Sequence, residues 1–352
     1  MAQIDKPSLH FNTVLYTGNG SYGHSITGVG FQPDWVWIKS RSGTHSAGVH
    51  ELYDAVRGTD NMISSNSANA QASGVNRLHS FDSDGFTVDD HNQINGSSTN
   101  YVSWNWKANG AGSANSDGTL ASTVSVNTAA GISIVKYTGN GSSGATVGHG
   151  LGAKPNVIIL KSYENGQQWA AYWSALGATK YMRFNATSTV ATSAARWNNT
   201  EPTTSVFTIG NDGEVNTNAE DHIAYCFTEK KGFSKFGIYK GRGSQSANNK
   251  YTFTYCGFKP AFVLVKNTQQ GSDNWFMWDN KRPGYNQTQK YLNSNLSNAE
   301  ADSSSYAIDF LSNAFVIRSA TGAINNNNED IIYMAFAEHP IVGSNKVPAV
   351  AR

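Results

Sequence analysis

The chain of 352 residues contains one pattern three times, and this internal repetition constrains its fold more than any single motif does. The pentapeptide YTGNG occurs at Tyr16–Gly20 and Tyr137–Gly141, and a related version, YKGRG, occurs at Tyr239–Gly243. After each copy comes a proline, followed by an apolar run that ends in a lysine six residues beyond it, in FQPDWVWIK, AKPNVIILK and FKPAFVLVK. The order of these landmarks predicts three tandem modules of about a hundred residues each.

A third landmark closes each module. The segments YVSWNWK, IAYCFTE and IIYMAFAE alternate between large apolar and smaller residues, and each follows its proline at a nearly constant spacing. The landmark residues are Pro33, Pro155 and Pro260 for the prolines, and Trp106, Phe227 and Phe336 for the aromatics. We therefore expect the prolines to be equivalent and the aromatics to be buried.

The composition indicates the fold class. With 34 glycines and 41 aromatic residues, the chain favours short strands joined by tight turns. The runs WVWI, VIIL and FVLV are apolar at every position, which is typical of strands covered on both faces. We predict an all-β protein of three tandem β-sandwich modules, jelly-roll or lectin-like, with little helix. The predicted segments are an N-terminal extended arm at 1–10, modules at 11–107, 132–230 and 231–339, a linker at 108–131 that adds a strand to module 2, and a C-terminal extended tail at 340–352.

The stretch YTGNGSYG matches the glycine spacing G-x-G-x-x-G of dinucleotide-binding folds. That motif must follow a strand and open a helix, whereas here the next segment is broken by glycines and then contains Pro33. The third copy also lacks the last glycine, because Ser246 stands there. We predict Asn-Gly turns that join two strands of a hairpin, and no cofactor.

The charge balance argues against polyanionic partners. Lysine and arginine total 26 against 25 acidic residues, and only 14% of residues are charged, so neither nucleic acid nor an anionic membrane is an expected partner. We expect no signal peptide and no membrane-spanning segment. Two cysteines, Cys226 and Cys256, cannot form a disulfide framework and are expected to be free thiols.

The candidate catalytic groups fail when the modules are compared. The densest acidic cluster, Asp82, Asp84, Asp89 and Asp90 beside His91, has no acidic counterpart in modules 2 and 3, so a β-turn is the expected structure. The nine histidines show no metal-ligand spacing, and we expect no metal. The pairs Asp54 with Arg57 and Asp279 with Arg282 suggest ion pairs that brace a turn, and no catalytic residue is predicted.

Tryptophans supply the only candidate contact residues. Trp169 and Trp275 occupy similar positions in their modules and are expected in the core. Trp173, Trp197 and Trp278 lie in polar stretches and are expected to be exposed. Exposed rings either pack in a protein interface or stack on sugars, so these three are candidate interface or glycan contacts.

The modules resemble the repeated domain of uncharacterised structural proteins of marine tailed bacteriophages, including those that infect picocyanobacteria and SAR11-type bacteria. The resemblance covers nearly the whole chain, and the segments that carry it are Lys6–Gly20, Gly28–Arg41, Ser80–Phe86, Asn105–Gly110, Gly131–Gly152, Ile223–Gly237, Gly257–Lys266 and Gly343–Arg352. It implies a virion component, assembled in the host cytoplasm, and carries over no catalytic residue.

Two functions follow as alternatives. The first is a non-enzymatic virion protein on the particle surface, as a head decoration or as a tail fibre or adaptor, able to contact host glycans. The second is a β-sandwich depolymerase, whose acidic pair would come from the Asp82 cluster or from Glu201, Asp212 and Glu214. Extended backbone is favoured at Lys6-Pro7 and Lys346-Val347-Pro348, so we expect a homo-oligomer, a trimer by analogy with phage fibres, docked on other virion proteins through its ends.

Overall fold

The computed structural model describes residues 2–74, 77–243 and 251–342. Over these residues the chain is all-β, as predicted, and its helices are single turns. Each module combines one large antiparallel sheet with one small sheet. No helix in the described ranges has the length and apolar character needed to cross a membrane.

Module 1 follows a 3₁₀ turn at Pro7–Leu9. Its elements are β1 (Phe11–Thr17), β2 (His24–Thr27), β3 (Trp35–Ser42), β4 (Glu51–Asp54), β5 (Gly58–Ile63), β6 (Ala72–Ser73), β7 (Leu78–Asp82), β8 (Gly85–Val88), α1 (Asn92–Asn95) and β9 (Asn100–Trp106). The large sheet has the order β1-β9-β3-β4-β5-β6, and the small sheet has the order β2-β8-β7.

Module 2 repeats this plan. Its elements are β10 (Ser113–Asn115), β11 (Ser122–Asn127), β12 (Ile132–Thr138), β13 (Ala145–Gly148), β14 (Val157–Ser162), β15 (Ala170–Trp173), β16 (Lys180–Arg183), β17 (Ala191–Thr192), α2 (Ala194–Trp197), β18 (Val206–Ile209), α3 (Gly213–Asn216) and β19 (Asp221–Phe227). The large sheet has the order β10-β11-β12-β19-β14-β15-β16-β17, and β13 pairs with β18. The alternating half of the predicted linker thus forms β11 and joins module 2, which confirms that expectation.

Module 3 has the same two sheets. Its elements are β20 (Ser234–Lys240), β21 (Thr252–Tyr255), β22 (Phe258–Asn267), β23 (Phe276–Asp279), β24 (Lys290–Asn293), β25 (Ala301–Asp302), a 3₁₀ turn (Ser304–Tyr306), β26 (Ile308–Phe310), β27 (Ala314–Ile317), α4 (Gly322–Asn325) and β28 (Asp330–Pro340). The sheet orders are β20-β28-β22-β23-β24-β25 and β21-β27-β26.

The strand register confirms the equivalence of the sequence landmarks. In every module the landmark aromatic residue pairs with the residue two positions after the landmark proline. The pairs are Trp106 with Trp35, Phe227 with Val157, and Phe336 with Phe262. All three landmark aromatics are about 1% exposed, as expected.

The two faces of each large sheet pack against different partners. In β3, Val36 and Ile38 face the small sheet of module 1 and belong to the core of that module. Trp35 and Trp37 face the other way, into a larger core to which all three large sheets contribute. We call this larger cluster the shared core. The central strands are therefore apolar on both faces because the second face packs against the other modules.

The landmark aromatics meet inside the shared core. The ring of Phe336 lies 5.7 Å from the ring of Trp106 and 5.8 Å from that of Phe227, measured between centroids. Phe11 stacks on Phe336 at 5.1 Å. These distances are typical of stabilising aromatic pairs, so the landmarks of the three modules form one aromatic cluster.

The interfaces between modules repeat in a cycle. In each module, the residue just before β4, β15 or β23 donates a ring N–H to a backbone carbonyl of another module. These residues are His50, Trp169 and Trp275. The bonds run from His50 to Asn293 at 2.9 Å, from Trp169 to Ser64 at 2.9 Å, and from Trp275 to Arg183 at 3.1 Å. Module 1 thus contacts module 3, module 3 contacts module 2, and module 2 contacts module 1. Head-to-tail contacts that close on themselves define a ring with pseudo-three-fold symmetry.

A second set of cross-module contacts involves the predicted ion pairs. Asp54 and Asp279 bind Arg57 and Arg282 at 2.6 Å, with all four side chains buried. Asp54 also accepts a hydrogen bond from the Tyr225 hydroxyl, and Asp279 accepts one from Trp104 Nε1. At the third interface Trp173 takes the place of the aspartate, and Met334 takes the place of the donor. Both polar partners are thus replaced together by apolar residues, which leaves no buried carboxylate without a donor there.

The N-terminal residues return to the body of the same chain. The Gln3 N–H donates to the Lys231 carbonyl, and Ile4 is buried in the shared core. These contacts hold the predicted arm on its own chain. From the sequence we expect instead that a neighbouring subunit holds it. Residues 343–352 of the predicted C-terminal tail lie outside the described residues. The homotrimer stays a prediction, which sedimentation equilibrium of the purified chain would measure.

Candidate functional site

The glycine motif forms hydrogen bonds to the C-terminal end of a one-turn helix. In module 1 the Tyr16 hydroxyl donates to the Ile94 carbonyl at 2.7 Å, and the Gly20 N–H donates to the Asn95 carbonyl at 2.8 Å. A Cβ on Gly18 would lie 2.3 Å from the Gly96 carbonyl oxygen, so only glycine fits there. The same bonds recur in modules 2 and 3, from Tyr137 and Gly141 and from Tyr239 and Gly243.

This geometry explains why the motif is not a phosphate site, and it corrects one expectation. A phosphate needs free N–H groups at a helix N-terminus, whereas these N–H groups are bonded to carbonyls at a C-terminus. The predicted hairpin is wrong, because β1 pairs with β9 in the large sheet and β2 pairs with β8 in the small sheet. The motif connects the two sheets of the sandwich.

The landmark lysines are buried at the end of each central strand. Lys39, Lys161 and Lys266 are inaccessible to solvent, and each ammonium donates to the carbonyl of the next residue at 2.6 Å and to carbonyls of the following loop. None forms an ion pair with a carboxylate in the described residues. Burial lowers the pKa of Lys39 to about 7 and those of Lys161 and Lys266 to about 8.

These lysines predict a pH-dependent stability. Lysines in the unfolded chain keep the ordinary pKa near 10.4, so between about pH 7 and pH 10 the unfolded chain binds more protons than the folded chain. The free energy of unfolding should therefore rise as pH rises from about 6.5 to about 8.5, by on the order of 1 kcal/mol per lysine. Urea unfolding measures it, with Lys39→Met as the control that should reduce the rise. An equal rise in Lys39→Met would contradict this assignment.

Two members of the Asp82 cluster, Asp82 and Asp84, brace the hairpin of β7 and β8 and the loop beside it. Asp82 accepts hydrogen bonds from the hydroxyls of Ser80 and Thr87 at 2.7 Å each. Asp84 accepts from two backbone N–H groups in the loop around Val29. The turn expected from the sequence is confirmed.

The second acidic set is also engaged in structural bonds. Glu201 accepts from the Tyr172 hydroxyl at 2.6 Å and binds Lys154 at 2.9 Å. Burial alone would raise the pKa of Glu201, but these bonds lower it overall, which is the opposite of what a general acid requires. Asp212 caps α3, and Glu214 is buried and binds Arg196 at 2.9 Å.

The described ranges contain neither a reactive thiol nor a cluster of potential metal ligands. Cys226 and Cys256 are free, as expected, and both are buried. Burial raises the pKa of both thiols, that of Cys256 to about 12, so neither is a reactive thiolate. No group of three potential metal ligands occurs among the residues that the structure describes.

The three tryptophans expected at the surface are buried, so that prediction is wrong. Trp173, Trp197 and Trp278 are at most 2% exposed. Trp173 lies in the shared core and donates to the Tyr333 carbonyl of module 3 at 3.3 Å, so its interface is internal to the chain. Trp197 ends α2, whose single turn places the ring against Tyr172. Trp278 stacks on Phe276 in the core of module 3. Trp169 and Trp275 are buried, as predicted.

Module 3 carries an aromatic groove that sequence reasoning missed. Phe253 and Tyr255 lie on β21, and they are 54% and 58% exposed while the threonines between and before them are buried. They line a concavity of about 670 Å³. Its polar lining includes Lys240, Arg242, Asn327 and Asn328. We call this concavity the module 3 groove.

The equivalent surfaces of the other modules lack these rings. Register places Ser25 and Thr27 of module 1, and Thr146 and Gly148 of module 2, at the positions of Phe253 and Tyr255. The β-sandwich therefore does not require aromatic residues there. Comparing YTFTY with the other two modules could have identified both positions from sequence.

A comparison with known proteins identifies the family of this chain. The model of DUF7483, a domain of unknown function, matches residues 6–340, which include all three modules. No curated protein and no solved structure matched the chain. Since the match covers the closed ring of modules as one unit, the chain belongs to the DUF7483 family.

Proposed function

We propose that the protein is a non-enzymatic structural component of a bacteriophage particle, exposed on the particle surface as a head decoration or as a tail fibre or adaptor, where it contacts host glycans. The virion assignment is supported by the resemblance of the modules to phage structural proteins. The binding role is supported by the module 3 groove, whose two exposed rings are absent from the equivalent strands of modules 1 and 2.

The non-enzymatic role is supported by how the chemically capable groups are used. Asp82, Asp84, Glu201, Asp212 and Glu214 accept structural hydrogen bonds or form ion pairs, and the buried lysines donate to backbone carbonyls. Such groups brace turns and interfaces. A catalytic acid needs a raised pKa and access to substrate.

Labelling of intact particles tests the location. Antibodies raised against the purified chain should label the surface of phage particles purified from cells that produce the protein. Its presence in lysates and its absence from purified particles would contradict the virion assignment.

Incubation with host-surface polysaccharide tests the activity in the same preparation. The purified chain should release no reducing ends, and the double variant Asp82→Asn, Asp84→Asn should behave identically. Turnover that is lost in this variant would support the depolymerase instead.

A further inference from the structure

We infer that the module 3 groove binds an acidic oligosaccharide, with sugar rings packed on Phe253 and Tyr255 and a sugar carboxylate bound by Arg242. This inference rests on the glycan contact in the proposed function and assigns that contact to named residues. The groove combines what small-ligand sites share, which is a concave shape, aromatic walls and a few polar groups.

The two rings form a stacking surface. Phe253 and Tyr255 alternate with buried threonines, so their side chains leave the same face of β21 about 7 Å apart. More than half of the surface of each of these residues is exposed, in a protein that buries its tryptophans almost completely. Such rings pack against the apolar C–H face of a sugar while its hydroxyls reach Asn327 and Asn328.

The charge of the groove selects an anion. Lys240 is neutralised by Asp330 at 2.9 Å, so the charge argument depends on Arg242. Arg242 is exposed, and its Nη1 donates only weakly to the Tyr251 carbonyl, at 3.4 Å. A guanidinium matches the two oxygens of a carboxylate, which makes a uronic acid unit a better ligand than a neutral hexose.

Module 2 shows why a peptide strand is not the favoured occupant. There the equivalent surface is covered by the chain itself, since β11 pairs with β12 and Leu120 bridges to Val147. The covering segment packs closely on Gly148, since a Cβ at this position would lie 1.7 Å from Asn115 Oδ1 and 2.7 Å from Asn115 Cγ. Tyr255 stands at the equivalent position in module 3, so a segment placed in the same way would collide with its ring. Lysines at both ends of β20 also disfavour pairing with an added strand.

Calorimetric titration of the full chain with hexagalacturonate, and with cellohexaose as the neutral probe, tests the inference. We expect the acidic hexamer to bind at least tenfold more tightly than the neutral one. Phe253→Ala and Tyr255→Ala should each weaken both ligands about tenfold, whereas Arg242→Gln should remove the preference for the acidic one. Raising NaCl from about 50 to about 500 mM should have the same effect as Arg242→Gln.

The matched control is the double variant Ser25→Ala, Thr27→Ala at the equivalent positions of module 1, which should bind like the parent. Unchanged thermal unfolding midpoints establish that the groove variants are folded. Absence of binding, or equal binding by the Phe253→Ala, Tyr255→Ala double variant, would overturn the inference. So would self-association that this variant abolishes without any glycan binding, because the groove would then join copies of the chain. Particle labelling is independent, so binding without labelling would reject only the virion assignment.

Discussion

Replacing Asp279 by alanine should lower the free energy of unfolding by about 3–5 kcal/mol. The carboxylate is fully buried and binds Arg282, Trp104 Nε1 and two backbone N–H groups. Its loss leaves the buried guanidinium of Arg282 with the Met277 carbonyl at 2.9 Å and, as the one carboxylate left to it in the described residues, Glu300 at 3.4 Å. Urea unfolding of the variant measures the cost.

Asp82→Ala is the matched control, because Asp82 is half-buried and, among the residues that the structure describes, bonds only within its own hairpin. It should cost about 1 kcal/mol or less. Trp104→Phe removes one donor and part of a fully buried ring, and should cost about 1–3 kcal/mol. If the contact between modules is as described, the Asp279→Ala and Trp104→Phe effects will not add. Additive effects, or a loss at Asp279 no larger than at Asp82, would contradict it.

Replacing Phe336 by alanine should cost about 3–5 kcal/mol, because the cavity would open where three modules meet. The ring contacts Phe11 and Trp106 of module 1 and Phe227 of module 2. Phe253→Ala, at an exposed ring of the same size, should change stability by no more than about 0.5 kcal/mol. The difference between these variants, measured by denaturant unfolding, is the test, and similar values for both would reject the shared core.

The modular plan could be predicted from sequence because each landmark has a fixed place in the strand register. In every module the landmark aromatic residue pairs with the residue two positions after the landmark proline. The same spacing therefore recurs wherever the chain builds the same ladder of hydrogen bonds. The ion pair of Asp54 with Arg57 was predictable for the same reason, since both lie on one short turn.

The shared core was not predictable from sequence. An apolar strand face indicates that the face is covered, but it does not indicate which part of the protein covers it. Trp35 and Val36 are both buried, yet one packs against other modules and the other against its own small sheet. The burial of Trp173 and Trp197 was not predictable for a related reason, since polar neighbours in sequence do not prevent a ring from turning inward at a strand end or in a one-turn helix. The exposed pair Phe253 and Tyr255 was predictable, because comparison of the three internal copies shows that only module 3 has aromatic residues at these positions.

The central claim is that the three modules fold around one core and are a single cooperative unit. Differential scanning calorimetry of the full chain tests this claim most directly. We predict one transition, in which the calorimetric enthalpy equals the van't Hoff enthalpy. Two or three resolved transitions, or a calorimetric enthalpy that is two to three times the van't Hoff value, would show that the modules unfold independently and would contradict the shared core.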